Sequence, residues 1–227
     1  MHKRYFALCS FLLYRDFIVF HFTYLCIFSI VWIMILPRYS IIVFLALLTS
    51  CTPQGVRPVD TIVDISTAWG RHVGYGVIAR DARLLTARHV VDTCDSDCIY
   101  RWASWERLSV GTGTHIPERD IASLTLYHHT AWADIYTWEI PLGMSLYTLV
   151  SRSGAWFRID GSVTALDASY VGYDAMLSGR VYTGAIETDI VLDAGESGTP
   201  IWTLSWELVG VMSAVDRERG RGYIVRP

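Results

Sequence analysis

From Thr61 to the C-terminus, apolar residues return at every second position in short runs bounded by Gly, Asp and Ser. A period of two sends successive side chains to opposite faces, so each run can bury one face as a strand. The runs are Thr61–Ser66, Gly74–Ala79, Leu84–Thr86, Ile121–Tyr127, Ile135–Ile140, Trp156–Ile159, Ser162–Leu166, Arg180–Ile186, Pro200–Thr203, Leu208–Ser213 and Gly222–Val225. No amphipathic stretch of helical period and useful length interrupts them. Many short strands at this spacing predict an all-β barrel or sandwich, in which few edges are left unpaired. A break over Pro141–Ser153 divides the body into 58–143 and 144–227, each long enough for a small antiparallel barrel of six strands.

The first fifty residues have a different character. Phe17–Leu36 is almost free of charge and long enough to span a bilayer as a helix. His2, Lys3 and Arg4 precede it and favour a cytoplasmic N-terminus. After Pro37 and Arg38 comes a shorter apolar run, Ile41–Leu48, with the form of a signal h-region. Leu48-Thr49-Ser50-Cys51 resembles a bacterial lipobox, which makes Cys51 the expected site of lipidation. A start at Met34 would give a compact lipoprotein signal; a plain transmembrane anchor is the alternative. On either reading, residues 1–51 tether an exported domain to a membrane, in the bacterial periplasm or cell envelope, through a linker at 52–57.

Charge and cysteine usage narrow the partners. The formal net charge is −3, and no Lys/Arg run follows residue 50, so a nucleic-acid footprint is missing. Cys94 and Cys98 are the pair left in the exported part and are expected to form a disulfide. A metal centre on that pair would need more ligands at zinc spacing, and the sequence offers none. His128 and His129, adjacent on a strand, would point to opposite faces. No metal or cofactor is expected.

Chemistry concentrates in two segments. Asp193-Ala194-Gly195-Glu196-Ser197-Gly198-Thr199-Pro200 places a serine in a tight glycine turn, a setting for a nucleophile. The N–H groups of Gly195 and Ser197 together would form an oxyanion hole, each donor contributing about 3 kcal/mol to a transition state. Leu84-Leu85-Thr86-Ala87-Arg88-His89 ends an apolar strand in a histidine, a candidate general base. His72, His115, His128 and His129 show that histidine is not rare here. No histidine follows Ser197, which excludes the order Ser, acid, His of the α/β-hydrolases. The acid of a His, Asp, Ser order lies between the two segments. Asp120 and Asp134 each open an apolar run there.

These residues resemble the trypsin-like serine peptidases. Leu85-Thr86-Ala87-Arg88-His89 is similar to their histidine segment and Gly195–Pro200 to their Gly-x-Ser-Gly-x-Pro. Leu208–Ser213 is similar to the strand after the nucleophile, and Tyr223-Ile224-Val225 to the closing strand. The resemblance covers about 58–227 in outline. It implies a double β-barrel with the site in the cleft between barrels, acting on a protein or peptide substrate through an acyl-enzyme. Within it, Ser197 is the nucleophile, His89 the base, and Asp134 the preferred acid over Asp120, because a run ending in histidine precedes it and Ile140-Pro141 follows. Val191 and Ser213 are the implied substrate-binding positions. Ile190, Val191 and Leu192 imply an uncharged specificity pocket, a reading that Asp216 could reverse. Glu196 stands where many members carry aspartate, and the tie to a linker implies no activation by a newly cut N-terminus. A catalytically inactive domain that binds a peptide or partner in the same cleft is the competing expectation.

Overall fold

The structure, a computed structural model, describes residues 57–94, 97–102, 106–116, 118–127, 131–173 and 179–227. The apolar leader, Cys51 and the pair His128-His129 lie outside the described residues. Among the described residues no helix is long and apolar enough to cross a membrane.

The chain from Val56 to Pro227 forms one compact unit of two antiparallel six-stranded sheets. The first is built from β1 (Ile62–Ser66), β2 (His72–Ala79), β3 (Arg83–Ala87), β4 (Ile99–Trp102), β5 (Val110–Ile116) and β6 (Ile121–Leu126). Its order is β4-β1-β2-β3-β6-β5, and it stays open between β4 and β5. The second contains β7 (Ser145–Arg152), β8 (Ala155–Tyr173), β9 (Gly179–Thr188), β10 (Pro200–Thr203), β11 (Leu208–Asp216) and β12 (Arg221–Val225). It closes as a barrel in the order β10-β11-β12-β9-β8-β7. One short helix, α1 (Arg88–Cys94), leaves the end of β3.

Most predicted runs are strands, and the departures have local causes. Ile135–Ile140 is not a strand; it belongs to a connecting segment that docks on both sheets in turn. The Ala133 N–H donates to the Ile78 carbonyl at 2.8 Å, and the Tyr136 N–H donates to the Leu208 carbonyl at 2.8 Å. Strand β7 falls in the stretch read as the break between halves. Its neighbours β8 and β10 flank it in the closed barrel, and it is buried on successive residues Leu146, Tyr147 and Thr148, which erases the alternation. Strand β5 carries Gly111 and Gly113, and a Cβ at Gly113 would lie 2.2 Å from a Leu124 methyl. Glycine there permits close strand approach but hides the strand from propensity. Strand β8 joins two predicted runs into 19 residues. Register shifts along its pairing with β9 bend it around the barrel.

Three clusters make up the core. One lies within the open sheet, around Ile65, Leu84, Val90 and Leu124. Another fills the closed barrel, around Leu146, Ile190, Ile201 and Ile224. The third spans both sheets and contains Val77, Leu85 and Ile121 of the first with Tyr147, Trp202 and Leu208 of the second. This shared core fixes the two sheets against each other, and the chemistry-bearing segments sit along their junction.

Candidate active site

His89 is the second residue of α1, immediately after β3 ends. Its ring meets Asp120, which immediately precedes β6 beside β3. The Nδ1 of His89 lies 2.6 Å from Oδ2 of Asp120, and the His89 backbone N–H donates to Oδ1 at 3.0 Å. The Arg88 N–H donates to the Asp120 carbonyl at 3.2 Å, which ties the start of α1 to the start of β6. The Asp120 side chain is 3% exposed and that of His89 is 24% exposed. The Asp120 carboxylate is therefore buried behind the imidazole while the ring keeps access to the surface.

Asp134, the preferred acid of the sequence reading, is elsewhere. Its carboxylate is 60% exposed and forms an ion pair with Arg80 at 2.8 Å. Its place in the segment bonded to Leu208 explains this: the Leu208 N–H donates to the Asp134 carbonyl at 2.7 Å, and the side chain points away from His89 toward Arg80.

A further partner holds Asp120. The Ser213 hydroxyl donates to its Oδ2. The Tyr170 hydroxyl lies 2.5 Å from the Ser213 oxygen, so it donates to the lone pair that Ser213 retains. Burial pushes the Tyr170 phenol well above its ordinary range and keeps the donor proton in place. Tyr170 is itself stacked on Tyr223 and Tyr182, with centroids 4.9 and 5.3 Å away. The sequence reading assigned Ser213 to substrate binding; its hydroxyl is turned to Asp120, and the residue also borders the cleft beside Ser197. Tyr170 was missed, and no local sequence signal marks it, because the contact joins β8 to β11 only in the closed barrel.

Ser197 is half-buried in the turn before β10. The turn is anchored on the first sheet: the Tyr75 N–H donates to the Ser197 carbonyl at 2.8 Å. Gly198 has φ +78°, and a Cβ there would lie 1.9 Å from the Tyr75 carbonyl oxygen. Only glycine permits that approach. The Gly198 N–H donates to the Met212 carbonyl at 2.7 Å, and the Thr199 hydroxyl donates to the Glu196 carbonyl at 2.5 Å. Glu196 is a second anchor. Its carboxylate takes a paired contact from Arg152 at 2.8 and 2.9 Å and accepts the Asp193 N–H at 2.6 Å. Glu196 is 8% exposed, so this charge is held by a fork of donors rather than by water.

Gly195 has φ +89°. Among the described residues the N–H groups of Gly195 and Ser197 donate no hydrogen bond, which leaves both donors of the expected oxyanion hole free. Beside the serine is a cleft of about 220 Å³ bordered by Leu192, Ser197, Met212, Ser213 and Arg217. Val191 is not among its lining residues. Cys94 and Cys98 are joined by a disulfide, with Cα atoms 5.2 Å apart, at the end of α1. Among the described residues no group of His, Cys, Asp and Glu is arranged to hold a metal ion.

The same architecture recurs in solved structures. The Rv3671c protease of M. tuberculosis, in its active form, aligns with a TM-score of 0.62 at 16% identity, over 74% of this chain and 77% of that one. The protease domain of MamO from Magnetospirillum magneticum aligns with a TM-score of 0.59 at 18% identity, over 74% of this chain and 92% of that one. The chain has a trypsin-like serine peptidase fold. Its trypsin-like body also matches curated sequences. A probable periplasmic serine endoprotease, DegP-like, of Pseudomonas fulva (strain 12-X) is 30% identical over 148 residues, which is 63% of this chain and 29% of that protein. The chain thus spans about three tenths of the length of the curated relatives it matches. No family model matches it.

Proposed function

We propose that the chain is a serine endopeptidase in which Ser197 attacks the scissile carbonyl, His89 is the base and Asp120 is the acid. The observation that carries this reading is the Nδ1–Asp120 contact at 2.6 Å on a partly exposed imidazole, in a fold where the serine turn is docked on the first sheet through Tyr75. With Nδ1–H donated to Asp120, the neutral ring presents Nε2 as its basic nitrogen. Among the described residues Nε2 has no hydrogen bond to the Ser197 hydroxyl. Catalytic hydrogen bonds commonly tighten only when substrate is bound, so the resting geometry is compatible with the role.

In the reaction Nε2 takes the serine proton as Oγ bonds to the carbonyl carbon. The free N–H groups of Gly195 and Ser197 receive the oxyanion. The imidazolium, stabilised by Asp120, then returns its proton to the leaving amine, and water releases the acyl group by the same steps. Substrates are proteins or peptides outside the cytoplasm. The disulfide at α1 suits an oxidising compartment, and the curated relatives carry the description periplasmic. The leader, with Cys51, supplies the membrane tether.

The test is hydrolysis of a protein substrate by the full chain in detergent. The wild-type chain is expected to cleave, and Ser197→Ala to lose at least about a thousandfold in turnover. A wild-type chain that binds peptide in the cleft without cleaving it would show the inactive, peptide-binding reading to be the right one.

A further inference from the structure

The structure contains another histidine–aspartate pair, which the proposed chemistry does not use. His72, at the start of β2, places Nδ1 2.7 Å from Oδ2 of Asp64 on β1. Its Nε2 lies 2.8 Å from the carbonyl oxygen of Gly195. We propose that His72 is a positioning residue that holds the oxyanion turn through the Gly195 carbonyl, and that it releases the turn when it loses a proton. The proposal rests on the peptidase reading above.

The turn needs an external hold. Gly195 sits at φ +89°, and glycine adopts either sign of φ at similar cost, so its own backbone preference does not fix the peptide plane. Nor does packing, because an atom at its Cβ position would meet only the His72 ring, at 3.6 Å. What fixes the Gly195–Glu196 peptide is hydrogen bonding at both ends. The carbonyl accepts from His72, and the Glu196 N–H donates to the Asp193 carbonyl at 3.0 Å. With that peptide held, the free N–H groups of Gly195 and Ser197 on either side keep their directions.

The charge state follows from the partners. A carbonyl oxygen only accepts, so Nε2 must carry a proton to bond Gly195. The Asp64 carboxylate also accepts, so Nδ1 carries the other proton, and the ring is an imidazolium paired with Asp64. The hydrogen bond to Asp64 is the main reason that the His72 value lies above the ordinary imidazole range, against the opposing effect of burial. The other groups facing it are Glu196, whose charge acts in the same direction, and the Tyr75 ring, 4.7 Å away. Arg152 stands behind Glu196 and neutralises part of its field. On deprotonation Asp64 retains the Nδ1 proton, and Nε2 becomes a lone pair facing the Gly195 oxygen. The sign is therefore fixed. The hold is complete below the ordinary imidazole pKa of about 6.5 and is lost as pH rises through the elevated value.

The experiment compares the full chain in detergent with His72→Ala and His72→Gln. His72→Ala is expected to lower kcat about 10- to 100-fold with KM within about threefold, a fraction of the 100- to 1000-fold loss on removing an oxyanion donor outright. The wild type is expected to lose activity on an alkaline limb that His72→Gln, which keeps a donor but does not titrate, lacks. An unchanged kcat in His72→Ala, or the same alkaline limb in His72→Gln, would overturn the inference. NMR titration of Ser197→Ala gives a readout that needs no turnover. The Glu196 amide, which shares a peptide with the Gly195 carbonyl, is expected to shift with the same midpoint as the His72 ring, above about 6.5. A Glu196 amide blind to that titration refutes the positioning role even if the wild type hydrolyses substrate. A wild type that fails to hydrolyse refutes the peptidase reading separately.

Discussion

Asp120 and Asp134 are alike in sequence: each is an aspartate before an apolar run, downstream of His89 and upstream of Ser197. Tertiary pairing separates them. Strand β6 lies against β3 and Ala87 pairs with Ile121, so the residue just before β6 is brought to the residues that follow β3. That register puts Asp120 under His89, while Asp134 leaves the sheet and meets Arg80 in water. Exposed ion pairs of that kind contribute little. Asp120→Asn is expected to lower turnover by about ten-thousandfold, because an amide cannot hold the imidazole tautomer that exposes a basic Nε2. Asp134→Asn is expected to leave turnover within about twofold. Steady-state kinetics on the two variants checks both, and the reverse ranking would restore Asp134. The His89, Gly195 and Ser197 segments stand out in the sequence because their signal is local. The Asp120–His89 pairing and the contacts of Ser213, Tyr170 and His72 do not, since each joins segments far apart in the chain.

Elements explain how the Ser197 turn is held. It is bonded to β2 through Tyr75, to β11 through Met212 and to β7 through Arg152, so three strands of two sheets set its place. Gly198 is the tightest point. Any side chain there collides with the Tyr75 carbonyl and the Thr86 hydroxyl oxygen, and positive φ adds strain. Gly198→Ala is expected to lower the melting temperature by several degrees and to reduce hydrolysis at least tenfold at a temperature where the variant is still folded. Thermal melting followed by assay checks this, and a variant with wild-type stability and rate would show that the turn is not docked on β2. The glycine was visible in sequence as part of the serine turn. Its docking was not, because the Tyr75 backbone has no sequence signature. Strands β2 and β3 are buried on almost every residue and were legible as short continuous apolar runs, while β6 comes nearer to alternation. Strand β7 mixes Ser, Thr and Arg with its apolar residues and β5 is rich in glycine, so neither reads as such a run.

At the scale of the molecule, the shared core decides whether two sheets behave as one body. Trp202 is 1% exposed, lies on β10 and packs in the cluster that includes Val77, Leu85 and Ile121 of the first sheet. Among the described residues its indole N–H has no hydrogen-bond partner. Trp202→Ala is expected to cost about 3–5 kcal/mol. Trp202→Phe is expected to cost clearly less, since it also removes a buried unpaired donor. Denaturant titration of both variants checks the order, and loss of the two sheets in separate transitions would contradict a joint core. The double-sheet architecture itself was readable from strand spacing and the break near Pro141; the opening between β4 and β5 was not, because it depends on which edges meet in space.

The central claim is that the Ser197 hydroxyl is made nucleophilic by its neighbours. An active-site-directed fluorophosphonate, followed by peptide mapping, reads this directly on the full chain. The account predicts one phosphonyl adduct on Ser197, formed much more slowly in Asp120→Asn and absent in Ser197→Ala. Folded protein that takes up no label, or takes it up on another residue, would contradict it.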